Sequence, residues 1–297
     1  MSTKISVAVI GTGYWGSKIV NTLERHPNIH MIQMVDARDG QGIDNIGSGI
    51  KVAIIATPLW HHTSLAVELL NRGYDVYIEK PMAETAAEVA HIQSLITDQI
   101  VMVGHIFLYH PALDRIKEHL PRIGTIKHVD SQRLNWGIYQ TKTTPALSLL
   151  PHDVSILDDL FDDLKVTSVT QRNFTNNKVP DWISFNLSMG DVTATVTGSW
   201  YWPERVRKLT IVGTLGSIVW DDVTNQVHVF SGRAGTKLSA LEEEVYIPDL
   251  SVTPLELELN HFIYCVLSRT QPRTDVTNAL AVAKILDDVQ AQLNLGQ

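Results

Sequence analysis

From residue 4 to about residue 104, apolar residues recur in blocks that take turns between two spacings. Lys4–Ile10 is a short β-rich run, and "SKIVNTLERHP" behind it has helical spacing and stops before Pro27. "HMIQMVD" predicts a second strand that ends at Asp36. "KVAIIATP" is almost continuously apolar, as expected of a strand covered by helices on both faces. "HHTSLAVELLNRG" predicts an amphipathic helix closed by Gly73. "YDVYIEKP", "ETAAEVAHIQSLIT" and "IVMVGH" continue as strand, helix and strand. This alternation predicts an α/β fold with a doubly wound parallel sheet.

After about Leu120 the rhythm changes. "TIKHVDSQRLN", "KVTSVTQRNF", "WISFNLSMGDVTATVTGSW", "RKLTIVGTLGSIVWDD" and "QVHVFSG" are strand-like with short turns between them. Val192, Ala194 and Val196 alternate with Thr193, Thr195 and Thr197, the pattern of an antiparallel sheet with one more polar face. "PHDVSILDDLF" and "NALAVAKILDDVQAQL" predict helices. The expected organisation is an α/β domain over residues 1–104. An α+β domain with an open, largely antiparallel sheet follows over residues 105–297.

Composition narrows the classes. The 297 residues are 44% hydrophobic and 19% charged, an ordinary globular balance for two domains. The longest apolar runs, such as Val52–Ala56, are too short to cross a bilayer. A single cysteine, Cys265, gives neither a disulfide framework nor a cysteine metal cluster and fits a reducing, cytoplasmic setting. Net charge is −8 with no basic block, which argues against a nucleic-acid partner. His61 and His62 are adjacent, so on a helix they diverge by about 100° and cannot share a metal. Asp158, Asp159, Asp162 and Asp163 lie opposite Val154, Leu157, Leu160 and Phe161 and read as a solvated face. No metal site is expected.

The candidate chemistry begins at "VAVIGTGYWGSKIV", which spends Gly11, Gly13 and Gly16 within six residues, after a strand and at the start of a helix. Asp36 ends the next strand 20 positions after Gly16. Strand, G-x-G-x-x-G, helix and a distal acid make a dinucleotide-binding fingerprint, so residues 1–104 are read as a Rossmann domain. Gly11 permits the tight turn, Gly13 lets a pyrophosphate touch backbone, and Gly16 lets helix and strand pack closely. The expected cofactor-binding set starts with Gly11, Thr12, Gly13, Tyr14, Trp15 and Gly16. Asp36 favours NAD by accepting from the adenosine ribose, whereas Arg38 beside it suits the 2′-phosphate of NADP. Only 15 residues, four of them glycine, separate Asp36 from Val52. That short crossover predicts a missing strand and a less covered adenine side.

Glu79-Lys80-Pro81 ends a strand. With "GTGYWG", "IATP" and "GHIFLYHPA" it resembles the Gfo/Idh/MocA family of NAD(P)-dependent sugar oxidoreductases. "SQRLNWG", "PHDVSIL", "GSWYWPERVRKLTIVGTLGSIVWDD" and "PLELELNHFIYCVLSRTQPRTDVTNAL" resemble its branch acting on nucleotide-activated sugars, with relatives among UDP-N-acetylglucosamine 3-dehydrogenases and ketoreductases of dTDP-sugars. The resemblance implies hydride transfer between nicotinamide and a sugar ring carbon. It also implies homodimers or homotetramers formed through the C-terminal sheet. It places Thr57, Pro58, His62, Glu79 and Lys80 at the cofactor, and makes Lys80 and His152 the catalytic pair. A lysine at a strand's carboxyl end faces the crevice where such sheets bind ligands, and a histidine is the natural proton shuttle near neutral pH. Asp153 reads as the N-cap of the helix that follows.

His105, Arg133, Asn135 and Arg207 complete the expected substrate contacts, alongside Lys80 and His152; Lys208 is a further candidate for a pyrophosphate. Tyr109 has the reading of a site residue or of core packing, and Trp136 and Trp200 those of stacking platforms or buried aromatics. The chain departs from the family pattern at Ser148, where many relatives carry an acid four residues before the histidine. A serine supplies no charge to His152. Two alternatives follow: an oxidoreductase of free sugars or cyclitols, and a non-catalytic, cofactor-binding sensor or partner protein.

Overall fold

A computed structural model describes residues 4–137, 140, 142–175, 179–232 and 242–295. The chain divides into two compact units, one of residues 1–109 and 252–284, the other of residues 110–251 and 285–297. The sequence places a single boundary after residue 104. The observed division comes after Tyr109, and the chain later returns to the first unit.

In the first unit, β1 (Ile5–Ile10), α1 (Tyr14–Leu23), β2 (Ile29–Val35), β3 (Val52–Ile55), α2 (His62–Asn71), β4 (Asp75–Ile78), α3 (Ala86–Ser94) and β5 (Val101–Val103) alternate as the spacing predicts. The strands form a parallel sheet in the order β2-β1-β3-β4-β5. Strands β3, β4 and β5 are buried throughout, because both faces are covered. Side chains alternate between those faces with period two. Ala53, Ile55, Val76, Ile78, Val101 and Val103 point into one apolar cluster, and Val52, Ile54, Tyr77 and Met102 into the other. The crossover from β2 to β3 holds only two 3-10 turns, Ala37–Asp39 and Ile43–Asn45. Ile43 nevertheless tucks into the first cluster and anchors it.

The second unit contains α4 (Pro111–His119), β6 (Ile126–Trp136), α5 (Pro145–Ser148), α6 (Pro151–Leu160), β7 (Leu164–Arg172), β8 (Trp182–Met189), β9 (Val192–Ser199), β10 (Tyr201–Gly213), β11 (Gly216–Asp221), β12 (Gln226–Ser231) and β13 (Glu242–Tyr246). Its sheet runs β13-β12-β11-β10-β6-β9-β8-β7, antiparallel except where β6 pairs with β9. Ile183, Phe185, Leu187, Ala194, Val196, Leu209 and Ile211 line its buried face, whereas Asn186 and Thr193 stand exposed, so the alternation read in "VTATVT" is realised.

The chain then enters α7 (Pro254–Ser268) and α8 (Val276–Leu295). Thr253 caps α7 in a capping box with Glu256, and Pro254 occupies its first turn. Leu259, Phe262, Ile263 and Val266 of α7 complete the second apolar cluster of the first unit. No helix among the described residues is long and apolar enough to cross a membrane.

Candidate dinucleotide cradle and the Lys80 cluster

The three loop glycines answer to three different demands. Gly11 has φ +88°, and a Cβ there would stand 2.8 Å from the carbonyl oxygen of Ala56. A Cβ on Gly16 would stand 1.9 Å from the carbonyl oxygen of Gly11. Gly13 has no heavy atom within 4 Å of where a Cβ would be, so its backbone alone borders open space at the start of α1. That space belongs to a cavity of about 430 Å³ lined by Gly11, Gly13, Asp36, Arg38, Thr57, Pro58 and neighbours from the short crossover. Gln41, Gly42 and Ile43 of the short crossover also line it. Thr57 Oγ1 is buried with no hydrogen-bond partner among the described residues. An unpaired hydroxyl and a methyl-sized gap over a helix N-terminus fit a dinucleotide phosphate.

Asp36 is densely satisfied. Its Oδ2 accepts from the amide and hydroxyl of Thr12, both at 2.8 Å, and from Arg38 Nη2 at 2.7 Å. Its Oδ1 accepts from Arg38 Nε at 2.9 Å and the Arg38 amide at 3.0 Å. Arg38 and these donors hold the carboxyl well below the usual carboxylate range. Arg38 is otherwise exposed, so its guanidinium borders the cavity while folded back on Asp36. Tyr14 is exposed beside the loop.

His62 does not line the cavity. It is buried, with Nδ1 2.9 Å from the Pro81 carbonyl and Nε2 2.8 Å from the Thr57 carbonyl, and so ties together the two loops that follow β3 and β4. Its exposed neighbour His61 lines the cavity instead. The order follows from α2, which begins at His62 and turns that side chain inward.

Lys80 follows β4 and is half-buried, and its peptide to Pro81 is cis. Glu79 is buried and pushed up to about 7, chiefly by burial, with Lys80 opposing. Glu79 Oε1 accepts from the indole Nε1 of Trp15 and lies 3.1 Å from Tyr77 Oη, and Oε2 lies 3.2 Å from the amide of Lys80. His105 is buried, with Nδ1 2.6 Å from Asn278 Oδ1, and burial pushes it down to about 4. It is therefore neutral at pH 7, donates from Nδ1, and keeps Nε2 as an acceptor. Tyr109 Oη lies 3.1 Å from Thr274 Oγ1.

In the second unit His152 is the second residue of α6, half-buried, and its carbonyl accepts from Ser155 Oγ at 2.8 Å. Asp153 is not the helix cap: that position is Leu150, because Pro151 starts the helix. Asp153 is instead buried, 2.7 Å from Ser131 Oγ and 2.6 Å from Arg133 Nε. Arg133 is buried with it, so the guanidinium offered as a phosphate grip already serves a carboxylate. Arg207 lies 3.1 Å from Asp222, and Asn135 is half-buried beside exposed Trp136, whose ring stacks 4.8 Å from Tyr201. Trp200 is buried. Asp159 pairs with Lys117 at 2.7 Å.

Sequence reasoning passed over Tyr77 and Glu258. Tyr77 Oη lies 2.9 Å from Glu258 Oε2, and both side chains are completely buried. A signal was available: Glu258 falls four residues before Phe262, on the apolar stripe of a helix-like segment, where an acid is seldom placed without a purpose.

Comparison with known proteins agrees with this fold. The model of the Gfo/Idh/MocA family, described as an oxidoreductase family with an NAD-binding Rossmann fold, matches residues 41–107. A 4-carboxy-2-hydroxymuconate-6-semialdehyde dehydrogenase from Sphingobium sp. is 21% identical over 97% of this chain and 98% of its own. The solved UDP-N-acetylglucosamine 3-dehydrogenase of Acidithiobacillus ferrooxidans superposes with a TM-score of 0.85 at 16% identity, covering 97% of both chains. A 3-ketoreductase from Actinomadura kijaniata, solved with TDP-benzene and NADP, gives 0.85 at 18% identity over 98% of both chains.

Proposed function

We propose that this chain, an oxidoreductase of the Gfo/Idh/MocA family, moves a hydride between a nicotinamide dinucleotide and a ring carbon of a sugar carried on a nucleotide, at C3 of a UDP-N-acetylglucosamine-like substrate. The observation that carries the reading is that one unit holds both the glycine cradle with its cavity and Lys80 at the carboxyl end of β4. When bound, the dinucleotide gives or takes the hydride. Gly13 and the first turn of α1 receive its pyrophosphate, and Asp36 with Arg38 receives its adenosine end. Lys80, as the neutral amine, accepts the proton of the reacting hydroxyl as the carbon is oxidised and becomes the ammonium beside Glu79; that ammonium returns the proton in the reverse direction. His152 is the second proposed acid–base residue, and neutral His105 offers an acceptor to a sugar hydroxyl. Arg207 is retained as a contact to the nucleotide's phosphates. Exposed Phe174, Tyr201 and Trp202 support self-association through the second sheet.

The test has two stages. The purified chain is titrated with NADH and NADPH, following energy transfer from tryptophans such as Trp15. Reduction of added NAD(P) is then followed over panels of UDP-sugars and free polyols, with Lys80→Ala beside the natural sequence. Saturable NADH binding and sugar-dependent reduction that Lys80→Ala abolishes are the expected results. Binding without turnover on any sugar would leave the sensor reading, and turnover on polyols alone would move the substrate to free sugars.

A further inference from the structure

Tyr77, Glu79 and Glu258 form a chain of three buried groups behind the strand end that carries Lys80. Tyr77 Oη sits 2.9 Å from Glu258 Oε2 and 3.1 Å from Glu79 Oε1. A tyrosine hydroxyl has one hydrogen. It can donate to one carboxylate, so both contacts are hydrogen bonds only if one carboxyl brings a second proton. The surroundings decide which. Glu79 receives the indole N–H of Trp15 and the amide of Lys80, and it feels the Lys80 ammonium. Glu258 has none of this: its Oε1 is buried with no hydrogen-bond partner, and among the described residues its Oε2 meets only Tyr77. Ionising it there would leave a fully buried charge with only the Tyr77 hydroxyl against it among the described residues.

We propose that Glu258 holds the proton, donating from Oε2 to Tyr77 Oη while Tyr77 donates to Glu79 Oε1, and that this relay makes Tyr77 and Glu258 positioning residues for Glu79. Above about pH 7 Glu79 is then the charged member of the chain. It accepts from Trp15, beside Gly16 in the dinucleotide loop, and from the backbone of Lys80. One buried carboxylate so fixes the cofactor loop and the catalytic lysine against each other. The groups that face the relay are accounted for. From β4 and its end come Glu79 and Lys80, from α7 Glu258, and from α1 Trp15. Tyr109 lies near Glu258, but its hydroxyl is committed to Thr274. Burial pushes Glu258 well above the carboxylate range, in the direction the proton count requires. The assignment rests on the hydride-transfer reading for its purpose, not for its test.

The test is carbon NMR of the whole chain labelled at glutamate Cδ, without cofactor. One carboxyl resonance stays at the protonated position from about pH 5 to about pH 8 and is lost in Glu258→Gln. A second titrates near about 7 and is lost in Glu79→Gln. Absence of a non-titrating protonated carboxyl in the natural sequence overturns the proposal, whatever the variants do. NADH affinity gives the second readout. Glu258→Gln keeps it within about twofold, because an amide N–H also donates to Tyr77. Tyr77→Phe and Glu258→Leu weaken it about tenfold, the loss of one charge-assisted bond. Equal losses in Glu258→Gln and Glu258→Leu would show that Glu258 acts as a charge and overturn the relay. Failure of any sugar to be oxidised leaves both readouts intact and bears only on the proposed reaction.

Discussion

The most discriminating perturbation adds one methyl group at two neighbouring glycines. At Gly16 a Cβ would lie 1.9 Å from the Gly11 carbonyl oxygen, where contacts under 3.0 Å are essentially never found, so the turn must open by at least about 1.1 Å. Gly11 cannot yield freely, since its own Cβ position is 2.8 Å from Ala56 oxygen. Gly16→Ala should cost about 1–3 kcal/mol, as overpacking does. At Gly13 the same methyl meets nothing within 4 Å, and φ −67°, ψ −163° is open to alanine. The loss of unfolded-chain entropy stabilises by about 0.4–1 kcal/mol and the poorer helix cap removes a similar amount, leaving stability within about 0.5 kcal/mol. The methyl does fill the space over the first turn of α1. It should push a phosphate off one or two amide donors worth about 1.5–3 kcal/mol each, at least a tenfold loss of NADH affinity. Urea unfolding and NADH titration of both variants measure this. Full NADH affinity in Gly13→Ala would refute the cradle as the phosphate site, and an undisturbed Gly16→Ala would refute the packing argument.

Arg38→Ala frees both oxygens of Asp36 from the guanidinium and removes the cation beside the cavity. Parallel titrations should move the NADH-to-NADPH affinity ratio at least about tenfold toward NADH, and an unchanged ratio would exclude Arg38 from recognition. Arg133→Met strands the buried carboxylate of Asp153 with Ser131 alone and should cost about 3–5 kcal/mol in urea, most of it recovered when Asp153→Leu is added. Glu79 is raised from about 4.5 to about 7, so in that window the folded chain holds a proton that the unfolded chain has lost. Its contribution to stability therefore declines as pH rises through the window. Burial has the opposite effect at His105, lowered from 6.5 to about 4: the unfolded chain takes up the extra proton there, and stability declines as pH falls. Because the two slopes oppose, the measurement is the difference between natural and Glu79→Gln unfolding free energies, which should change steadily between about pH 4.5 and about pH 7; a flat difference would contradict the raised carboxyl.

The parallel sheet and the glycine loop were legible because their signals are local. Strand–helix alternation, three glycines and a strand-terminal acid all lie within one crossover of each other. What was missed depends on partners far along the chain or on a single competing residue. Asp153 looked like a cap because an acid before a helix usually is one; Pro151 moved the helix start ahead of it and released the side chain to Arg133, 20 residues away. Strand β13, "EEEVY", was invisible to hydrophobic patterning because it is an edge strand, exposed along most of its length. Helix α4 was passed over, although Pro111 at its first turn and buried Leu113 and Ile116 mark it. Helix α7 was quoted only for its likeness to relatives. That it belongs to the first unit is a fact of tertiary structure that periodicity cannot carry.

That return has a consequence for how the protein is made. Val7, Val9, Ile54, Tyr77 and Met102 share their apolar cluster with Ile19 and Leu23 of α1, but the cluster is complete only once Leu259 and Phe262 are present. Phe262 is 153 residues beyond Tyr109 (262 − 109), where the first stretch of that unit ends. At about 5–20 residues per second, the nascent sheet waits roughly 8–30 s with the part of that face not covered by α1 lacking its α7 partners. The first unit is thus begun at the start of translation and finished near its end. A ribosome-associated chaperone that shields apolar surface should occupy this chain between the emergence of β5 and that of α7, and leave as α7 emerges.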